Sequence, residues 1–181
     1  MALSADLRRG EVLGAKWSKL DLKTGYFLVN EQLIPVKGEL VFKQPKSEDG
    51  LRTVIFPPAV IEILRRHRKK QLKDKLLLGE AYKDNELINC NQDSSPINPG
   101  TFSHWFADFL KENGLPEITF HGLRHTGITV SLNSGVPINI VSKSAGHATS
   151  SFTMDVYGHL MDSGMKIIAD NKQKAFYDKV K

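Results

Sequence analysis

Two imidazoles and a guanidinium fall within the run His121-Gly122-Leu123-Arg124-His125-Thr126. On a helix, positions 121, 124 and 125 share one face, because residues three and four apart are neighbours. Such a face makes a poor core and a good anion cradle. Arginine presents a rigid fork of donors matched to phosphate oxygens, and His121 can donate a further hydrogen bond. The plainer alternative is a helix end with a capping histidine and a surface arginine; the block by itself leaves both open.

Three further pieces each have an ordinary reading. Ala145-Gly146-His147 is followed ten residues later by Tyr157, in Met154-Asp155-Val156-Tyr157-Gly158-His159. A tyrosine between apolar neighbours is usually a core residue with a tethered hydroxyl, and a histidine after glycine is usually a turn residue. Arg8 and Glu11 in Leu7-Arg8-Arg9-Gly10-Glu11 read as a surface ion pair. Lys46, in Pro45-Lys46-Ser47, reads as a solvated turn lysine.

The elements that must carry these side chains follow from periodicity. Leu7, Val12 and Leu13 predict one helix over residues 3–16, with Ser4 as its candidate cap. Three β-rich runs, over 26–29, 40–42 and 53–56, are separated by turn residues and predict a three-stranded antiparallel sheet. Lys46 then lies on the turn between the second and third strands. Pro57-Pro58 stops the third strand and opens a helix over 59–73. Val60, Ile63 and Leu64 form its apolar face, with Arg65, Arg66, Lys69 and Lys70 on the wet side. That charge run is ordinarily a solvated face, with DNA contact as the alternative. Leu87-Ile88-Asn89-Cys90 reads as a short buried strand. Asn98 caps a helix reaching about Asn113, with Phe102, Trp105, Phe106, Phe109 and Leu110 as a broad apolar face and Gly114 ending it. Further helices are expected over 121–134, 137–144, 150–157 and 165–179. The class is α+β, mostly helical, without internal repeats.

The chain has 181 residues, 40% hydrophobic and 25% charged, sufficient for one folded domain. Its formal charge of +5 is compatible with a polyanionic partner and is weak evidence alone. Cys90 is the one cysteine, so no intrachain disulfide is expected, and no Cys/His cluster has zinc spacing. No stretch approaches the ~20 apolar residues of a membrane span, and the N-terminus lacks a signal core. The expectation is a soluble, cytoplasmic protein. Met1 opens almost directly into a helical pattern, as expected of an excised fragment.

Taken as a set, Arg8, Lys46 in a β-turn, His121-x-x-Arg124, Gly146-His147 and Tyr157-Gly158-His159-Leu160 resemble the tyrosine recombinase and phage integrase family in order and spacing. The resemblance covers nearly the whole chain. The His121 and Gly146 blocks are closest to integrases of mobile elements from Gram-positive bacteria.

The resemblance implies the family's catalytic fold over residues 1–181 and a metal- and ATP-independent recombinase. Tyr157 would attack a scissile phosphate, leaving a 3′-phosphotyrosyl link and a free 5′-hydroxyl. A phenol has a pKa of about 10, and nearby cations favour the phenolate. The covalent link stores the phosphodiester energy for resealing. Arg8 and Arg124 would clamp the non-bridging oxygens, His121 and His147 would add hydrogen bonds, and Lys46 would act as general acid on the 5′-oxygen. Glu11 would orient Arg8 or its helix, His125 and His159 would be structural or close to the phosphate, and Trp17 would be core. No cofactor is implied, and no carboxylate cluster suits Mg²⁺. The implied partner is double-stranded DNA, with a homo-tetramer for the full-length protein, a monomer for the fragment, and no membrane. The segment from Asp162 onward would dock on its own domain or on a neighbouring subunit.

Three positions depart from the family pattern. Asp6 stands where glycine is common, Gly122 where an acidic residue is common, and Ala145 where a bulky aliphatic is usual. None removes a catalytic group. The family's N-terminal core-binding domain has no counterpart, so weak DNA binding is expected of this chain alone. The competing readings are a type IB topoisomerase-like nicking-closing enzyme, a non-catalytic DNA-binding regulator and a metal-dependent nuclease.

Overall fold

The structure, a computed structural model, describes residues 1–45, 50–147 and 172–173. Lys46, Tyr157, His159 and the helices expected over 150–157 and, apart from residues 172–173, over 165–179 lie outside the described residues.

The N-terminal helix is two helices, α1 (Ala2–Ala5) and α2 (Arg9–Leu13), rather than one. The break is at Asp6, whose φ of 53° lies in the left-handed region. Aspartate tolerates that region better than most residues. Leu7 then turns fully into the core, and Arg8 becomes the extended N-cap of α2. Its backbone N–H donates to Glu11 Oε2 at 2.8 Å. Ser4 lies inside α1 and caps nothing, because Met1 is that helix's N-cap.

Four strands are present among the described residues, in two antiparallel pairs rather than one three-stranded sheet. β1 (Tyr26–Val29) pairs with β4 (Arg52–Ile55), and β2 (Gln32–Val36) with β3 (Glu39–Lys43). Sequence reading missed β2 because Pro35 interrupts it; proline is tolerated where one side of a strand is unpaired. Val36 pairs with Glu39 across Lys37 and Gly38. Both turn residues have positive φ, 50° and 90°, as a two-residue hairpin turn matched to strand twist requires. On β1 and β4, Phe27, Val29, Val54 and also Arg52 face inward.

Helix α3 (Pro58–Leu78) begins at its proline and runs past the expected end. It buries Ile61, Leu64 and Gln71, while the expected core residue Ile63 is 56% exposed. The buried set 61, 64 and 71 recurs at helical spacing, and position 63 falls outside that stripe. Trp17 packs against the core, and its Nε1 donates to Gln71 Oε1 at 2.7 Å. Residues 87–90 form isolated bridges instead of a strand, with Leu87 and Ile88 buried and Cys90 half-buried.

The remaining helices are α4 (Pro99–Glu112), α5 (Phe120–Asn133) and α6 (Ile138–Ala145). Asn98 Oδ1 caps α4, accepting from Gly100 N at 2.8 Å and Thr101 N at 3.3 Å. The core takes Phe106 and Leu110 but leaves Trp105 55% exposed. Helix α5 lies directly on α1. A Cβ at Gly127 would overlap the Leu3 carbonyl and the Asp6 carboxylate. Helix α6 packs on α5 through a small cluster of Ile128, Val141 and Ala145 and also lies against β4. No helix among the described residues is long and apolar enough to cross a membrane.

Candidate active site

Arg124 is 2% exposed, although it is a cation in the middle of α5. Its guanidinium is held by three acceptors. Nη1 donates to the Asp6 carbonyl, and Nη2 donates to the Ala145 carbonyl at 2.7 Å and to His147 Nε2 at 2.8 Å. The left-handed turn at Asp6 is what aims that carbonyl at α5.

Arg8 reaches the same place from α2. Its Nη2 donates to the Gly146 carbonyl at 2.8 Å, and its Nη1 to Glu11 Oε1 at 3.0 Å. A third arginine, Arg52 of β4, donates from Nε to the Ser144 carbonyl at 2.6 Å. Three guanidiniums thus take three successive carbonyls at the C-terminal end of α6, immediately before His147. Those carbonyls have no partner within the helix and carry the negative end of its dipole. Gly146 closes α6 at φ 67°, and a Cβ there would lie 2.7 Å from Arg52 Nη1. Glycine meets both conditions.

The network's counter-charge is Glu11, 3% exposed. It accepts Arg52 Nη1 at 3.0 Å and Nη2 at 2.9 Å as well as both Arg8 contacts. Burial alone would raise its pKa, but the hydrogen bonds and charges of Arg52 and Arg8 outweigh it and hold the carboxylate below its usual range. At Asp6 burial wins over Arg124 and Arg52, and the pKa is pushed up to about 6. Burial lowers Arg124 to about 10, with Arg8 adding repulsion, so it stays charged at neutral pH. Burial, then Arg124, Arg8 and Arg52, bring His147 down to about 4.

His121 opens α5, whose N-cap Thr119 accepts Gly122 N through Oγ1 at 3.0 Å. Its ring meets His125 edge-on at 4.6 Å. Burial, then the neighbouring His125, Arg124 and Arg8, lower its pKa. His121 and Arg8 flank a cleft of about 840 Å³ between α2, α4 and the start of α5, lined also by Arg9, Ser103, Phe106 and Thr119. The fold therefore gathers Arg8, Arg124 and His147 into one network and sets His121 at its edge. Among the described residues no group of three or more His, Cys, Asp or Glu could hold a metal ion.

Sequence reasoning missed Arg52 and the structural part of Asp6. A signal for Arg52 existed: alternation with Val54 and Phe56 puts it on the inward face, where a charge needs a buried partner.

The chain as a whole has counterparts among known proteins. The phage integrase family matches over residues 1–163, and the chain belongs to that family. It is 30% identical over 173 residues to a XerC-like tyrosine recombinase of Caldanaerobacter subterraneus subsp. tengcongensis, covering 89% of this chain and 44% of the relative. It is 26% identical to the ICEBs1 integrase of Bacillus subtilis, covering 94% and 46%. The chain thus spans about half the length of the curated relatives it matches. Among solved structures, the Tn1549 transposon integrase in complex with transposon right end DNA is similar, with TM-score 0.75 and 22% identity over 93% of this chain and 56% of that one. XerA recombinase is similar with TM-score 0.69 and 23% identity over 93% and 54%. At these identities the likeness is one of fold.

Proposed function

We propose that this chain cuts and rejoins DNA as the catalytic domain of a site-specific recombinase, through a 3′-phosphotyrosyl intermediate on Tyr157. The observation that carries the reading is the convergence of Arg8, Arg124 and His147 at the end of α6 beside an open cleft. Two fixed cations next to an electroneutral imidazole suit a phosphodiester whose non-bridging oxygens gain charge during attack. Arg8, 37% exposed at its side chain, faces the cleft and can exchange a carbonyl for a phosphate oxygen. His121 adds a donor at the cleft edge. Lys46, upstream of β4 in the sequence, supplies the proton to the leaving 5′-oxygen. The full-length relatives' names support the reading: a tyrosine recombinase and an integrase. The partner is double-stranded DNA in the cytoplasm, and the assembly on DNA is a homo-tetramer of the full-length protein.

The test is incubation with a nicked duplex that loses a short strand after cleavage, read as a protein–DNA adduct stable to denaturant. The unaltered chain should form the adduct in the presence of EDTA, and Tyr157→Phe should bind the duplex without forming it. An adduct on the phenylalanine variant would reassign the nucleophile. No adduct from the unaltered chain at saturating duplex would reject the reading.

A further inference from the structure

Arg52 has no part in the chemistry assigned above. It is 7% exposed on β4, and all three of its guanidinium nitrogens donate to protein acceptors. Both terminal nitrogens hold Glu11, at 3.0 and 2.9 Å, and Nε holds the Ser144 carbonyl at 2.6 Å. Nη1 also approaches the Gly50 carbonyl at 3.3 Å. Each partner leads to a residue of the reaction. Glu11 uses the same two oxygens to hold the Arg8 backbone and side chain. Ser144 lies three residues before His147 on the last turn of α6. Gly50 stands four residues after Lys46 in the sequence.

We propose that Arg52 is a positioning residue for strand cleavage: one buried guanidinium ties β4, α2 and the end of α6 together, and so keeps Arg8 and His147 in register with one another. The proposal rests on the recombinase reading. It depends on the shape of the side chain as well as its charge. A planar fork satisfies Glu11 in two places and a carbonyl in a third direction; a single ammonium does not.

Arg52→Lys tests this because it keeps the charge and loses the fork. Three quantities are measured: duplex affinity, the rate of adduct formation at saturating nicked duplex, and the His147 titration followed by NMR without DNA. Affinity should stay within roughly threefold, because the number of cations is unchanged. The adduct rate should fall about 100-fold, the effect of a displacement near 1 Å at a reacting centre. The His147 titration should climb from about 4 towards the ordinary histidine value of about 6.5. Glu11→Gln, which keeps the outline but turns one of the two accepting oxygens into a donor, should show the same fall in adduct rate, and the double variant should be no worse than the poorer single one. The acid limb of the Arg52→Lys rate profile should also move to higher pH. The charged groups acting on Glu11 are Arg8 from its own helix, Arg52 from β4 and Arg124 from α5, and loosening Arg52 lets the carboxylate protonate earlier.

An unchanged rate and an unchanged His147 titration in both variants would overturn the proposal. So would parallel losses of affinity and rate, which would mark Arg52 as general support of the fold. An unaltered chain that forms no adduct rejects the recombinase reading and the cleavage role with it, while the titration still decides whether Arg52 sets the end of α6.

Discussion

Arg124 Nη2 donates to His147 Nε2 at 2.8 Å, joining the middle of α5 to the residue that follows α6. A guanidinium has no acceptor, so Nε2 must be bare and the ring proton must sit on Nδ1. The contact therefore defines a tautomer. It places a permanent cation against a neutral base, and a second proton on that ring would face Arg124, Arg8 and Arg52 together.

His147 should accordingly remain neutral down to about pH 4 as the Nδ1–H tautomer, readable from ring nitrogen shifts. The folded pKa is below the unfolded value of about 6.5. The unfolded chain thus binds more protons between those limits, and His147 makes stability rise with pH across that window. A ring titrating between pH 6 and 7 in the folded chain would contradict the contact.

Asp6 carries the opposite sign. Its folded pKa of about 6 lies above the ordinary 3.8, so its contribution is full below pH 3.8 and lost as pH rises through 6. Asp6→Asn removes the buried charge and keeps a residue that accepts the left-handed turn. Its Tm should match the unaltered chain near pH 4 and exceed it at pH 8; equal values at both would show that the carboxylate is not desolvated.

The two arginines that hold Glu11 should differ in their weight in folding. The Arg52–Glu11 pair has both side chains 4% exposed. Arg52→Met leaves the buried carboxylate with Arg8 as its one remaining cationic hydrogen-bond partner among the described residues and should cost about 3–5 kcal/mol in urea unfolding. Replacing both residues with apolar ones should recover part of that loss. Arg8 is 37% exposed, and Arg8→Ala should cost about 1 kcal/mol or less while removing adduct formation.

Gly127→Ala reverses an ordinary rule. In an exposed helix interior the change gains about 1 kcal/mol. Here the added methyl meets the Leu3 carbonyl and the Asp6 carboxylate, and the net effect should be a loss of roughly 1–3 kcal/mol. Thermal unfolding with Gly135→Ala as the companion variant checks the assignment. Gly135 has open space around it but a φ of 81°, so its cost comes from backbone strain alone.

Local chemistry determined a good deal by itself. The Asn98 cap, the stop at Gly114 and the bounds of α5 and α6 could be read within a residue or two, because caps, prolines and apolar stripes act over a single turn. The His121–Arg124 block was open to a site reading from its residue types, whereas Gly146-His147 read as an ordinary turn until the whole set was taken together. Only the tertiary structure decided the rest. The left-handed break at Asp6 sits where α5 packs on α1 at Gly127, and strand β2 finds β3 as its partner across the Lys37-Gly38 turn. Arg52 meets Glu11 across 41 residues and the end of α6 across 92, while Arg8 reaches that end across 138. Periodicity reports which face of an element is inward. It carries no information on which distant carboxylate or helix end will be waiting there, because that depends on how the whole chain closes.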